Sequence, residues 1–363
     1  MAPPSPYHAS LDTPLLAFGR EPWRIRDAAE GTAIWGAPGS GKSSGSGQMI
    51  ARALLAAGMG GLVLCAKNDE AETWQRYAEE AGRSDDVVIV DERAAERFNF
   101  LDYAAATFAR PGFEQNLTQL MARMAEASRV ADERGGGDGD NRFFIDSAMK
   151  WISHAFPLLQ LAHGSIRLTD LNKFIASAPQ SAVEIADDRI DDWISRSFCG
   201  QTHILAGERA KRAKGNERAR AMRLIEEHGD FFLDEVPRLD NRPRSSIEAT
   251  LTNLIYPFLT GKLAELFCSS TTITPDAARQ GKIIILDLPV LSFGAAGAVG
   301  QTLFKYLFGL AVQHAPVDDS TRPVFIFADE AQFFMNSADA DLLSTARSSK
   351  TCIVYITQDL PTY

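Results

Sequence analysis

The sequence predicts an α/β fold, a mostly parallel sheet interrupted by a long all-helical insertion. Three observations predict it. Short apolar runs alternate with helical spacing between residues 32 and about 90, which is the rhythm of βαβ units. From 103 to 244 nearly every segment has helical spacing instead. Strand-like runs then return at 282–288, 323–329 and 351–357. With 363 residues and 45% hydrophobic content, the chain can bury a large core and hold two domains. The expected division is therefore 1–102 as the first half of an α/β domain, 103–244 as an inserted helical domain, and 245–363 as the second half. Residues 1–12, rich in proline and lacking a signal-peptide pattern, are expected to be a disordered tail.

The first elements carry a motif. Thr32-Ala33-Ile34-Trp35 reads as a short buried strand, and 48–57 reads as a helix. Between them, Gly36-Ala37-Pro38-Gly39-Ser40-Gly41-Lys42-Ser43 fits the phosphate-binding loop G-x-x-x-x-G-K-[ST], with Ser44 directly after it. Glycines let the backbone curl so that its N–H groups converge on phosphate oxygens, and the following helix adds its positive end. Lys42 is placed to reach the β- and γ-phosphates, and the Ser43 hydroxyl to ligate Mg²⁺. Strands at 61–66 and 86–90 with a helix at 70–81 continue the pattern. Within the helical region, the polar glycine loop at 132–141 is expected to be mobile. There is no internal repeat.

A phosphate loop needs a partner for hydrolysis, usually a buried strand that ends in an aspartate for the magnesium shell and a glutamate for the attacking water. Four segments compete: "VVIVDE" with Asp91-Glu92, "IIILDL" with Asp287, "FFLDE" with Asp234-Glu235, and "VFIFADE" with Asp329-Glu330. Asp329-Glu330 is favoured because the next strand, "CIVYITQ", ends in Thr357-Gln358, a polar end suited to face a γ-phosphate. Asp91-Glu92 runs straight into helical sequence and stays as the alternative. A GTPase is disfavoured, since "AKNDE" lacks the N-K-x-D order that grips guanine.

Composition sets further limits. The net charge of −10 argues against a protein coating nucleic acid with its whole surface, though not against a local basic channel. Cys65, Cys199, Cys268 and Cys352 are far apart and are read as reduced thiols of a cytoplasmic protein. The most apolar stretch, 295–312, is cut by Gln301 and Lys305 and is expected to be a packed helix rather than a membrane span. The six histidines are scattered and suggest no metal cluster.

The ordered series "GAPGSGKSSGSGQ", "LVLCAKNDEAETW", "RFNFLDY", "SSIEATLTNLIYPFL", "GKIIILDLP", "VFIFADEAQFF" and "ARSSKTCIVYITQDL" resembles the TraG/TraD-type coupling proteins of conjugation and type IV secretion. These belong to the HerA/FtsK group of ring-shaped DNA-pumping ATPases. The resemblance covers most of the α/β part, while the helical insert matches in position and character more than in motif. It implies a RecA-like domain, ATP and Mg²⁺ as ligands, DNA and secretion or relaxosome proteins as partners, and a homo-hexameric ring. An isolated monomer is compatible with that. By the same resemblance Lys42 and Ser43 match the phosphate and Mg²⁺ contacts, Asp329 the magnesium aspartate, Glu330 the catalytic glutamate and Gln358 the γ-phosphate sensor. Arg347 falls where such proteins place an arginine that enters the neighbouring subunit's site. The chain departs from the pattern in lacking membrane helices, in Phe100 where proline is usual and in Cys65 where aspartate is common. Location in the cytoplasm, with recruitment to the inner membrane through partners, follows as an expectation. Relatives continue beyond Gln358, so a further C-terminal part is expected.

The stretch 209–223, "RAKRAKGNERARAMR", holds seven Lys/Arg against one Glu. As one helix it groups Lys211, Lys214, Arg218 and Arg220 on a broad face suited to DNA phosphates. The alternative is a solvated helix paired with the acidic stretch 184–192. Two other readings of the whole chain remain open: a soluble HerA-like DNA-processing or defence ATPase, and a nucleotide-gated adaptor that recruits protein substrates.

Overall fold

The computed structural model describes residues 10–107, 118–126 and 140–358. In chain order its principal elements are β1 (Pro14–Phe18), β2 (Glu21–Arg24), β3 (Thr32–Trp35), α1 (Gln48–Ala56), β4 (Gly60–Leu64), α2 (Glu70–Glu80) and β5 (Val87–Val90). Then come α3 (Asp140–His163), α4 (Phe198–Arg212), α5 (Gly215–Asp230) and α6 (Asn241–Ile255). The chain returns through β6 (Ile283–Leu286), α7 (Val290–His314), β7 (Val324–Ala328), α8 (Ala338–Thr345) and β8 (Thr351–Thr357). It divides into two compact units, one of Met1–Phe98, Glu126–Asp132 and Glu265–Tyr363, the other of Asn99–Ala125 and Glu133–Ala264. The second unit thus runs on past residue 244 and takes in α6.

The first unit has the expected α/β character. Its main sheet has six strands, all parallel, in the order β3-β8-β7-β4-β6-β5. The four inner strands are fully buried, whereas β3 and β5 at the edges are mostly half-exposed. Near-continuous apolar runs such as "VFIFA" and "TCIVYIT" arise because both faces of a parallel sheet are covered. On one face α2 lays Trp74 flat on Phe325 at 5.6 Å and edge-on to Phe327 at 4.9 Å. Residues 10–12, expected to end a disordered tail, instead open an ordered segment that runs to residue 24, for which no element was expected. Leu11, Leu15, Leu16 and Trp23 pack on the core, Asp12 pairs with Arg26, and β1 and β2 form an antiparallel hairpin. Pro14 and Pro22, which cannot donate to a ladder, hide this hairpin from a strand pattern. Residues 1–9, and the glycine loop over 132–139, lie outside the described residues.

Helix α7 is kinked at Gly294, whose φ of 60° and ψ of −153° are non-helical, so its long straight part begins where the apolar stretch 295–312 does. Its Ser292–His314 portion is long and apolar enough to cross a membrane, but 78% of its most apolar window is buried inside the protein. Leu303, Phe304, Leu307 and Phe308 are at most 1% exposed. Gln301 and Lys305, which interrupt the apolar stretch, are each satisfied internally. Gln301 donates to the carbonyls of Cys65 and Leu288 and accepts from Cys65 N–H. Lys305 lies 2.6 Å from both carboxylate oxygens of Asp339, to which the Tyr355 hydroxyl also donates at 3.0 Å. Removing one member of such a buried pair typically costs about 3–5 kcal/mol, because the other is left charged and dry.

The second unit is helical throughout its described residues. α3 packs against α4, α5 and α6 around Trp151, Phe231 and Phe232. "FFLDE", one of the four candidate acid-bearing strands, is instead a π-helical turn, Phe231–Glu235. The basic stretch is also not one helix. α4 stops at Arg212, Ala213 and Lys214 are extended, and α5 starts at Gly215, whose φ of 56° suits glycine. Arg209, Lys211, Arg212, Lys214, Arg218, Arg220 and Arg223 are all exposed around this bend.

His154 on α3 stacks on Phe231 at 4.1 Å, with its Nδ1 3.2 Å from that of His228. Burial pushes its pKa down to about 4, and His228 and Lys150 push the same way. An unfolded histidine titrates near 6.5, so the stability that neutral His154 supports is complete above about pH 6.5 and is lost as pH falls toward 4. His154→Gln is expected to flatten this loss, worth about 2 kcal/mol after allowing for partial water access. Denaturant unfolding at pH 7.5 and pH 4.5 checks it; equal pH slopes in both proteins would refute the assignment.

Candidate active site

Parallel registers align the strand ends. Trp35 lies opposite Thr357, Ala328 opposite both Tyr355 and Leu64, and Leu286 opposite both Leu64 and Val90. The phosphate loop, Gln358, Asp329-Glu330, Lys67, Asp287 and Asp91 therefore all leave from one edge of the sheet. Their distances from the loop differ. β7 is two places from β3 and β5 is five places away. At about 4.8 Å per strand this is roughly 10 Å against 24 Å. Asp91 is held by Arg93 at that far edge. Asp287 sits one strand nearer, its pKa raised by burial and then by the Asp91 charge.

The loop has the shape that its glycines permit. Gly39 and Gly41 have φ of 75° and 80°, a region costly for residues with a Cβ. A Cβ on Gly36 would fall 2.4 Å from Ser40 Oγ. Ala37, Pro38, Gly39, Ser40 and Ser44 are exposed, and Lys42 is half-buried with its stem beside Gly36. Ser43–Gly47 winds as a π-helical turn closed by Gly47 N–H donating to Lys42 O at 2.8 Å, and α1 follows directly. Ser43, Lys67 and Asp329 line one cavity of about 350 Å³. A hydroxyl and a carboxylate facing the same space are the hard oxygen donors that Mg²⁺ takes beside phosphates, and the curled, exposed loop suits a phosphate chain. The residues present therefore fit both groups.

The acid pair is held tightly. Glu330 has φ 54° and ψ 47°, uncommon for a residue with a side chain and frequent at functional sites. Its N–H donates to Asp329 Oδ1 at 3.0 Å, and its carbonyl accepts from Phe333 N–H at 3.0 Å. Its carboxylate accepts from Gln332 Nε2 at 2.8 Å and from Gln358 Nε2, with Lys67 Nζ at 3.1 Å. Thr357 in turn donates to Gln332 Oε1 at 2.9 Å. Burial alone would raise the Glu330 pKa, but the hydrogen bonds from Gln332, Lys67 and Gln358 outweigh it and hold it below the usual value. An oriented, ionised carboxylate is what a water-activating base requires.

Lys67 and Gln332 were not singled out from the sequence. Lys67 lies 3.2 Å from Asp329 Oδ2 and 3.9 Å from Glu70 Oε1. The other Glu70 oxygen accepts the N–H groups of Ala66 and Lys67, at 2.7 and 3.3 Å. Burial, and next the Asp329 charge, push Glu70 up to about 8. The available signal was a lysine just beyond a buried strand, three residues before a helix-starting glutamate. Arg347 is not brought to this site. It precedes β8 and pairs with Glu30 at 3.7 Å, at the opposite end of a seven-residue strand whose far end carries Gln358. At about 3.3 Å per residue that separation is roughly 20 Å, beyond the reach of its side chain.

No protein-family profile and no curated protein sequence matches the chain. Solved structures do. The bacterial conjugative coupling protein TrwBdeltaN70, in an unbound monoclinic form, superposes with a TM-score of 0.54 and 14% identity, over 94% of this chain and 65% of that one. The plasmid coupling protein TrwB in complex with the non-hydrolysable GTP analogue GDPNP gives 0.55 and 14%, over 98% and 68%. The chain has the fold of a conjugative coupling protein. It is a RecA-like α/β fold and spans about two thirds of the length of the chains in those two structures.

Strand order makes a direct prediction. Asp329→Asn is expected to lower nucleotide turnover at least about a hundredfold, whereas Asp91→Asn, roughly 24 Å away, leaves it within about twofold. Phosphate-release assays on the two variants check this, and the opposite ranking would move the site to the β5 edge.

Proposed function

We propose that the chain is an Mg²⁺-dependent ATPase that drives DNA through a ring, in the manner of a conjugative coupling protein. The observation that carries the reading is the meeting of the phosphate loop, Asp329, Glu330 and Gln358 on the adjacent strands β3, β8 and β7. The triphosphate would lie along Gly36 to Ser44, with Lys42 neutralising its charge. When bound, Mg²⁺, held by Ser43 and Asp329, would supply further neutralisation of phosphate charge. Glu330, kept ionised by its three donors, would orient and deprotonate water. Gln358 binds Glu330 directly, so a change at the γ-phosphate position is communicated to the end of β8. TrwB was solved with a GTP analogue, so ATP and GTP are the nucleotides to compare.

Because Arg347 cannot serve the site of its own chain, a role as an arginine finger requires a neighbouring copy. A guanidinium beside the γ-phosphate stabilises charge that develops in the transition state. Arg347→Ala subunits and Glu330→Gln subunits, each inactive alone, are expected to recover part of the turnover when mixed. Mixed assemblies with no recovery would exclude a shared site.

DNA contact is assigned to the bend between α4 and α5. Three of the five acids in its acidic competitor are engaged elsewhere: Glu184 and Asp192 pair with Arg196, and Asp188 with Arg189. Arg212 pairs with Glu208, while among the described residues Lys211, Lys214, Arg218, Arg220 and Arg223 form no ion pair. Free cations around one bend favour phosphate contact without base reading. Neutralising Lys211, Lys214 and Arg218 together is expected to reduce the slope of log affinity against log salt by about 3. Anisotropy titrations with labelled single- and double-stranded DNA measure it. Turnover that ignores DNA but responds to a partner protein would favour the adaptor reading instead.

A further inference from the structure

We propose that Lys67 is a positioning residue that competes with the divalent ion for Asp329 and then keeps its hold on Glu330. The proposal rests on the reading of Asp329 as the metal carboxylate and Glu330 as the base. Lys67 comes from the turn after β4, the strand hydrogen-bonded to β7, so its backbone is carried to the acid pair by the sheet itself. Its ammonium spans Asp329 Oδ2 at 3.2 Å and Glu330 Oε1 at 3.1 Å. The two carboxylates are nearly buried, with side chains 12% and 6% exposed, while that of Lys67 is 41% exposed. The acids are thus fixed and the cation is the member with room to move.

The turn is built for this placement. Gln301 closes both backbone groups of Cys65, and Glu70 accepts the N–H groups of Ala66 and Lys67, so the lysine backbone is clamped from both sides. Glu70 Oε1, 3.9 Å from Nζ, adds a third acidic oxygen beside the first two. A hard cation entering between Ser43 and Asp329 meets the Lys67 charge already on the same carboxylate. Two cations cannot share one aspartate oxygen without strong repulsion. Lys67 therefore yields Asp329 and retains Glu330, 3.1 Å away. The consequence is a weak site for a bare ion and a strong one when phosphate charge accompanies it.

The test uses the full chain with Mn²⁺ as a spectroscopic substitute for Mg²⁺, titrated by electron paramagnetic resonance with and without a non-hydrolysable nucleotide. Without nucleotide, Lys67→Met is expected to bind Mn²⁺ about tenfold more tightly than the unaltered chain, while Lys67→Arg stays close to it. Lys67→Gln, measured alongside, gives the same answer should the methionine variant not fold. Adding Asp329→Asn to Lys67→Met abolishes the gain. Unchanged or weaker Mn²⁺ binding in the uncharged variants, with Asp329→Asn still weakening the nucleotide-bound ion, overturns the role of Lys67 and leaves the site reading intact. An Asp329→Asn chain that holds the nucleotide-bound ion as well as before overturns the site reading, and this proposal with it.

Discussion

Parallel pairing with aligned strand ends is the constraint from which the rest of the structure follows. A parallel sheet sends every strand out at one edge, and backbone groups just past that edge need new partners. Here those partners are side chains of the candidate site or their supports. Asp329 caps the N–H of Glu330, Glu70 caps the turn after β4, and Gln301 closes the end of β4 from α7. The same hydrogen bonds that terminate strands thus aim the carboxylates.

That economy concentrates charge. Asp329, Glu330 and Glu70 converge at the ends of two neighbouring buried strands, and Lys67 offsets them. Without a cation among them, close carboxylates would push one another toward protonation. With it, Glu330 is held on the acidic side of its usual range despite its burial. A second buried cation works deeper in the same unit. Lys305 ties α7 to the start of α8 through Asp339, and Tyr355 adds β8 to that contact. The strand bearing Gln358 and the helix leading to Arg347 therefore share one buried anchor.

Much of this was legible in the sequence. The four inner strands were readable because both faces are covered, which leaves uninterrupted apolar runs bounded by polar turns, and the half-exposed β3 and β5 because they fall in the alternation with helical spacing. The phosphate loop was readable because its glycines have no other use at that spacing. The hairpin at 14–24 was not, since two prolines break its pattern and its burial comes from contacts with distant residues. The bend at Ala213 and Lys214 escaped because lysine, arginine and alanine are all good helix formers. "FFLDE" misled because a short apolar run followed by acids looks alike in a strand and in a helical turn.

The sequence by itself determined the class of fold, the loop that fits phosphate, and a short set of acids that could complete the site. Only the tertiary structure set those acids at different distances from the loop, Asp329 two strands away and Asp91 five, because strand order is a choice between pairings that local pattern does not encode. Lys67 became visible for the same reason. Its nearest charges lie 262 and 263 residues further along the chain, and only the pairing of β4 with β7 brings them within hydrogen-bond range.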